Sequence, residues 1–204
     1  MLAEALVDFR GRNPLVLAIP RGAVPMARLI ADRLDGELDV VLVRKLGAPG
    51  QPELAIGSVD EDGEVYLTGA AGWLGIRPEY IALERDRQLA LLRTRRTLYT
   101  PSRGPISPAG RPALVLDDGI ATGSTMIAAL RAVRRARPLE LVAVTAVLPR
   151  EALASIEPEA DRVDFLDLPE PFGSVGEFFE DFSQVSDEEV IRMLSGPEGV
   201  DRRA

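Results

Sequence analysis

The sequence predicts an α/β fold in which a mostly parallel sheet is flanked by helices and carries a small hood or cap region. Short apolar runs alternate along the chain with amphipathic stretches of helical spacing, a pattern typical of strands joined by helices. Such connections are right-handed, and ligands lie beyond the carboxyl ends of the strands. We therefore expect the functional site in the loops that follow Ile19, Val43 and Leu116.

The first 70 residues predict strands, one helix and a hairpin. An apolar run is closed by Pro20-Arg21-Gly22, and helical spacing follows it. A second apolar run leads into a glycine- and proline-rich loop at 47–52, and Asp60-Glu61-Asp62-Gly63 is typical of a hairpin turn. The predicted strands are 15–19, 40–43, 54–59 and 64–67, and the predicted helix is 24–34.

The remainder continues the same alternation. Pro78 begins a long amphipathic stretch, because proline is favoured in the first turn of a helix. The proline-rich segment 101–112 fits neither a helix nor a central strand and is interpreted as a linker. The predicted helices are 78–98, 124–136 and 187–194, and the predicted strands are 114–116, 141–148 and 163–166. We interpret residues 1–150 as an α/β core with a helical insertion at 71–100, and residues 151–204 as an acidic C-terminal cap.

Composition excludes several kinds of chemistry. The 204 residues contain no cysteine and no histidine, which excludes disulfides, thiol nucleophiles, Ser-His triads and histidine-ligated metal sites. No run approaches the roughly 20 apolar residues of a membrane helix. Glu4 and Asp8 stand where a signal peptide would be basic and then apolar. We expect a cytoplasmic protein with no membrane partner.

Charge is distributed unevenly. Residues 1–150 carry a net charge of +3 and residues 151–204 a net charge of −11, giving −8 for the chain. So acidic a total disfavours a nucleic-acid partner. A small phosphorylated ligand bound by the first three quarters of the chain remains compatible with it.

The strongest motif follows the strand predicted at 114–116. Two acids are followed by a loop rich in glycine and hydroxyl side chains that opens into a helix: Asp117, Asp118, Gly119, Ala121, Thr122, Gly123, Ser124 and Thr125. Backbone amides at a helix N-terminus bind anions, and glycine allows a close approach. A plain helix cap is the alternative. Adjacent carboxylates would repel a phosphate unless they face another part of the ligand, so a phosphorylated sugar with a vicinal diol is favoured.

This segment resembles the phosphoribosyl-diphosphate (PRPP) binding motif of type I phosphoribosyltransferases, and the likeness extends over about residues 10–150. The resemblance implies that Asp117 and Asp118 hold the ribose hydroxyls and that residues 121–125 hold the 5′-phosphate. It also implies Mg²⁺ bound with PRPP, a nitrogenous base as acceptor, release of pyrophosphate and a homodimer. The loop at 43–47 and the C-terminal segment are similar to those of a group of bacterial phosphoribosyltransferases whose acceptor is not settled.

Two further loops fit the resemblance. Arg21 and Gly22 match the family's pyrophosphate loop, although an ordinary turn is the alternative. Arg44 and Lys45 match the start of its flexible catalytic loop, the alternative being a solvated basic pair. Lys45 is the only lysine among 24 basic residues, which favours a site that needs a compact charge. The resemblance implies that these three basic side chains neutralise the diphosphate.

Departures from the family pattern limit the choice of acceptor. Ala121 stands where hypoxanthine-guanine enzymes usually have aspartate, so a 6-oxopurine is disfavoured. The aromatic candidates for stacking a base are Trp73, Tyr66, Phe172, Phe178 and Phe179, each also a candidate for the core. Two other functions remain open: a regulator that senses PRPP or a nucleotide without transferase activity, and a phosphotransferase or hydrolase acting on another ribose phosphate.

Overall fold

The computed structural model describes residues 1–195; residues 196–204, the end of the predicted cap, lie outside the described residues. A five-stranded sheet forms the centre of the molecule, and every neighbouring pair of its strands is parallel. This confirms the predicted fold class. Its strands are β1 (Leu15–Ala18), β2 (Glu37–Val40), β6 (Pro112–Gly119), β7 (Glu140–Val147) and β8 (Arg162–Asp167), in the order β2-β1-β6-β7-β8.

Helices cover both faces of this sheet. Alternate residues of β1 point to opposite sides, so that Val16 and Ala18 join one apolar core while Leu15 and Leu17 join the other. The first core includes side chains of α1 (Leu2–Ala5), α2 (Ala23–Leu34) and α7 (Asp187–Leu194), and the second those of α5 (Ser124–Arg135) and α6 (Arg150–Ile156). Burial on both faces explains the continuous apolar runs of these strands.

A second, antiparallel sheet stands apart from the first. It consists of β3 (Val43–Ala48), β4 (Gln51–Asp60) and β5 (Val65–Leu67), and it is followed by the helices α3 (Gly69–Trp73) and α4 (Pro78–Tyr99). The hairpin around 60–63 and the long helix from Pro78 are confirmed. The strand predicted at 40–43 is wrong, because β2 ends at Val40 and β3 begins at Val43 in a different sheet. The loop predicted at 47–52 is largely strand as well, with Ala48 paired to Gln51.

A buried ionic network joins the two sheets. Asp39 on β2 is 1% exposed and accepts hydrogen bonds from Arg96 Nη1 at 2.8 Å and Arg103 Nη1 at 3.0 Å. Arg96 on α4 also donates through Nε to Glu61 at the tip of the β4–β5 hairpin, at 2.6 Å. Because a buried carboxylate needs such partners, the network fixes the position of the small sheet against the central one.

The C-terminal part of the chain contributes a strand to the central sheet and a loop that lies over the ends of its strands. Strand β8 pairs with β7, so the central sheet includes residues beyond 150, which the sequence analysis assigned to the cap. Residues 168–186, between β8 and α7, fold back over the carboxyl ends of the strands and are named the cap loop here. None of the helices within residues 1–195 combines the length and apolar character needed to cross a bilayer.

Candidate ligand site at the carboxyl ends of β1 and β6

The order of the central strands creates a crevice between β1 and β6. These strands are neighbours, but the chain leaves β1 toward β2 on one side, whereas β6 is followed by β7 on the other. The loops after β1 and β6 therefore diverge, and open α/β sheets bind ligands at such a point. The loops carry Arg21 and Gly22 after β1, and residues 120–123 after β6.

A cleft of about 530 Å³ opens at this point and is named the main cleft. One wall comes from the loop after β1, the start of α2 and the end of β6; the other comes from the cap loop. The lining residues are Arg21, Gly22, Pro25, Met26 and Asp118 on the first wall, and Phe179, Asp181, Phe182, Ser183, Gln184 and Val185 on the second. The volume lies within the range of small-molecule sites, about 300–1,000 Å³.

Gly22 and Asp118 approach each other more closely than any side chain on residue 22 would permit. A Cβ atom built on Gly22 would lie 1.8 Å from Asp118 Oδ2. The backbone of Gly22 is right-handed helical, with φ −58° and ψ −34°, so glycine is needed here for space rather than for conformation. The Asp118 carboxylate thus lies directly over the loop that carries Arg21, and the Pro20–Arg21 peptide bond is cis.

The loop after β6 forms a second hollow of about 220 Å³, named the loop hollow. It is lined by Asp117, Gly119, Ile120, Ala121, Thr122, Gly123, Ser124, Thr125 and Met126. Gly123 has φ +80° and caps the 12-residue helix α5. The first backbone bond of that turn runs from Ile127 N to Gly123 O, and the amides ahead of it are the unpaired donors of a helix N-terminus. With the Thr122 and Ser124 hydroxyls, 3.3 Å apart, they suit an anion.

Asp117 and Asp118 line different cavities. They are consecutive residues of β6, whose side chains point to opposite faces, and Asp117 lines the loop hollow whereas Asp118 lines the main cleft. Burial, and then the neighbouring Asp118 carboxylate, raise the pKa of Asp117 well above its usual value of 3.8. The two acids therefore occupy different positions, and ionisation of Asp117 is disfavoured by its burial.

Arg21 is linked to two other parts of the chain through Asp187, the first residue of α7. Its Nη1 atom lies 3.7 Å from Asp187 Oδ1, and the Tyr99 hydroxyl donates to the same oxygen at 2.7 Å. Burial, followed by this hydrogen bond, raises the pKa of Tyr99 to about 12. Arg21 is consequently positioned by the end of α4 and the start of α7.

Arg44 and Lys45 line neither cavity. Both belong to β3 of the small sheet, where Arg44 Nε donates to Gln88 Oε1 at 2.5 Å and Lys45 Nζ lies 2.6 Å from Glu53 Oε2. The hydrogen bond from Lys45 and its charge lower the pKa of Glu53. The structure thus brings together Arg21, Gly22, Asp118 and the loop hollow, while the two other predicted basic residues pair elsewhere.

Of the aromatic candidates, Phe179 alone lines the main cleft. Trp73 is 87% exposed on α3, and Phe172 stacks on Phe178 with ring centroids 5.7 Å apart. Phe182 and the polar residues 183–184 also line the cleft, although none of them was a candidate from the sequence. Their role depends on the return of the cap loop over the sheet, and no local spacing signals that contact.

Comparison with known proteins identifies the family. A model described as "Phosphoribosyl transferase domain" matches residues 1–183. Proteins named "Putative phosphoribosyl transferase" from two strains of Mycobacterium tuberculosis are 38% identical over 199 residues, which is 95% of this chain; the chain spans only 44% of their length. The crystal structure of TT1426 from Thermus thermophilus matches with 42% identity and a TM-score of 0.83, covering 95% of this chain and 92% of that one. On these matches, the chain belongs to the phosphoribosyl transferase family.

Proposed function

We propose that the protein transfers the 5-phosphoribosyl group of PRPP to a ring nitrogen of a base and releases pyrophosphate. The observation that carries this proposal is the position of the two cavities, which meet at Asp117 and Asp118 near the end of one strand. A ligand with a phosphate at one end and a diphosphate at the other suits such a pair. Family membership supports the same reaction.

Each group of the ligand has a matching part of the site. The loop hollow, residues 121–125, would hold the 5′-phosphate through amides and hydroxyls. Asp117 and Asp118 would accept hydrogen bonds from the ribose hydroxyls. Arg21 and the backbone of Gly22 would hold the diphosphate in the main cleft.

In the reaction, the bond from C1′ to the diphosphate oxygen breaks and its electron pair leaves with pyrophosphate. A ring nitrogen of the base forms the new bond to C1′, and the proton that this nitrogen carried passes to solvent. The protein contributes by holding the reactants in line and by neutralising the leaving group. Mg²⁺ takes oxygen ligands and commonly binds with substrate phosphates, and Asp118 supplies a carboxylate to the cleft. Bound with the diphosphate, the ion would neutralise part of its charge.

We propose that the Lys45 side chain breaks its ion pair with Glu53 and then neutralises charge on the diphosphate. The pair is exposed, with side-chain exposures of 51% and 91%, and exposed ion pairs contribute little to stability. Opening the pair would therefore cost little. Arg44, which lies on the same strand and donates to Gln88 of α4, is proposed to act with it.

The test is pyrophosphate release from Mg·PRPP with a panel of bases, beginning with adenine and orotate. Replacing Lys45 with alanine should lower turnover by about 100-fold while changing PRPP binding little. Glu53→Gln is the matched control: it frees Lys45 without removing it, and turnover should stay at or above the wild-type value. Equal losses of binding and turnover in Lys45→Ala would contradict the assigned role.

A PRPP- or nucleotide-sensing regulator is the second candidate, favoured by the pairing of Lys45 with Glu53 away from the cleft. It predicts PRPP binding without pyrophosphate release for every base tested. For the transferase we further propose a cytoplasmic homodimer in nucleotide metabolism, supported by family resemblance. Sedimentation velocity and cell fractionation test these two points.

A further inference from the structure

The wall of the main cleft that faces Arg21 and Asp118 has an aromatic surface. Phe179 and Phe182 lie against each other with ring centroids 5.1 Å apart and a tilt of 38°, and Phe182 is 49% exposed. A Cβ on Gly176 would come within 3.1 Å of the Phe182 ring, so the turn behind the ring supports it closely. A half-exposed aromatic at the edge of a cleft suits stacking with a flat ligand.

The polar groups beside these rings accept hydrogen bonds and carry negative charge. Asp181 lines the cleft, and its Oδ1 accepts from the Ser183 backbone amide at 2.9 Å. This hydrogen bond lowers the pKa of Asp181, which keeps it ionised at neutral pH. Gln184 adds an amide, which both donates and accepts.

Within residues 1–195, the cap loop brings no positive charge to the main cleft. The cap loop, residues 168–186, contains four acidic residues and neither lysine nor arginine. Arg21 is the one basic side chain that lines the main cleft within the described residues. It belongs to the loop after β1, where the proposed function assigns it to the diphosphate. An anionic group at the cap wall would therefore face Asp181, and the cap loop, residues 168–186, offers no cation to pair with it.

We propose that Asp181 makes the cap wall selective for uncharged or cationic nitrogen heterocycles as acceptors, stacked on Phe182 with an N–H donor toward Asp181. Acceptors that carry a carboxylate bind more weakly, because the negative charge of Asp181 repels them. This inference rests on the proposed function, because it assumes that the diphosphate occupies Arg21. It deepens that function by naming the class of acceptor.

The test uses matched pairs of bases that keep a ring N–H and differ in a carboxylate: uracil and orotate, purine and purine-6-carboxylate, benzimidazole and benzimidazole-5-carboxylate. Each is titrated by calorimetry into the protein saturated with Mg²⁺ and pyrophosphate, so that no reaction occurs. The uncharged member should bind at least about fivefold more tightly, the effect of two unit charges about 4 Å apart in water.

Asp181→Asn should bring that ratio below about twofold, since the charge disappears while the amide oxygen can still accept from Ser183. Asp167→Asn is the control. Asp167, like Asp181, accepts a hydrogen bond from a nearby backbone amide, with 2.8 Å between Leu168 N and Asp167 Oδ1, but it does not line the main cleft. It should leave the ratio unchanged.

Three results would overturn the inference: a carboxylated member that binds as tightly as its partner, a ratio that Asp181→Asn leaves unchanged, or no binding of any of the six bases. Titration of Mg·PRPP into the wild type and Asp181→Asn separates this failure from that of the proposed function. If PRPP binds both proteins equally, only the acceptor inference has failed. If PRPP binds neither, the proposed function has failed, and the acceptor inference with it.

Discussion

Replacing Gly22 with alanine separates ligand binding from folding stability at the candidate site. The new Cβ would lie 1.8 Å from Asp118 Oδ2 and 2.8 Å from Asp118 Cγ. Both contacts involve the end of a side chain, so the Asp118 carboxylate can rotate away while the backbone stays in place. The rotation removes the carboxylate from the position that faces the ligand.

The expected change in stability is small. Alanine fits the helical backbone of residue 22, and such a replacement stabilises by about 0.4–1 kcal/mol through the unfolded state. An off-rotamer Asp118 costs about 0.5–1.5 kcal/mol. The two effects nearly cancel, so the free energy of unfolding should change by less than about 1 kcal/mol.

The expected change in binding is larger. A hydrogen bond to a charged group contributes about 1.5–3 kcal/mol, so losing one from Asp118 should raise the Kd for Mg·PRPP roughly 10- to 150-fold. Calorimetry measures the Kd, and urea denaturation measures stability. Gly104→Ala is the control, because a Cβ there meets no atom within 4 Å. The reasoning is refuted if Gly22→Ala binds Mg·PRPP within twofold of wild type, or if it unfolds several kcal/mol more easily.

Three other changes test separate contacts. Gly119→Ala places a Cβ 2.2 Å from Val175 Cγ1 and should lower the unfolding free energy, measured by urea denaturation, by about 1–3 kcal/mol. Adding Val175→Ala should recover most of this loss of stability. If it recovers none, the cap loop does not pack on β6 as described. The raised pKa of Asp117 means that ionisation disfavours the folded state, so stability should fall as pH rises above 3.8. Asp117→Asn should abolish this fall and stabilise the protein at pH 7. The gain in unfolding free energy should be about 1.4 kcal/mol for each unit by which folding raises the pKa of Asp117. Urea denaturation across pH 4–8 shows whether stability falls or rises with pH. Asp39→Ala should cost about 3 kcal/mol or more, because Arg96, Arg103 and the backbone amides of Val40 and Ile106 all lose a buried acceptor. Asp32→Ala, which breaks an exposed pair with Arg28, should cost less than about 1 kcal/mol. Similar losses in the two variants would contradict the buried network.

The central sheet could be predicted from the sequence because its strands are buried on both faces. The runs that begin at Leu15 and Leu114 are apolar at every position, and parallel strands covered by helices require this. The position of the ligand loops then follows from the rule for parallel sheets. For the same reason, the acids at 117 and 118 could be placed at the carboxyl edge.

Runs of apolar residues predict strands wrongly where a buried residue does not pair with a neighbouring strand. Residues 40–43 are continuously apolar, yet Val41 packs in one core and Leu42 in the other while the chain crosses between the two sheets. Periodicity reports burial and does not show which sheet a residue joins. The sequence predicts Gly47 in a loop, but Gly47 lies in β3: a Cβ there would lie 2.6 Å from the Pro52 carbonyl, and the strand register shifts around it. Glycine in a strand often marks such a bulge.

The cap wall depends on long-range contacts that local patterns do not contain. Phe182 and Gln184 follow an irregular segment, and they reach the cleft only because the cap loop returns over β6 and docks Val175 against Gly119. For Lys45, in contrast, the sequence predicts a place at the ligand site that the structure does not show. Its rarity in the composition favoured a role in the cleft, whereas the described structure pairs it with Glu53 on the neighbouring strand.

Calorimetric titration of Mg·PRPP into the wild type and into Asp117→Asn/Asp118→Asn tests the central claim most directly. If the two cavities at the end of β6 form one PRPP site, the wild type binds with one ligand per chain, chelation of Mg²⁺ weakens binding, and the double variant loses it while remaining folded. A folded wild type that does not bind Mg·PRPP, or a double variant that binds it equally well, would contradict the assignment of this site.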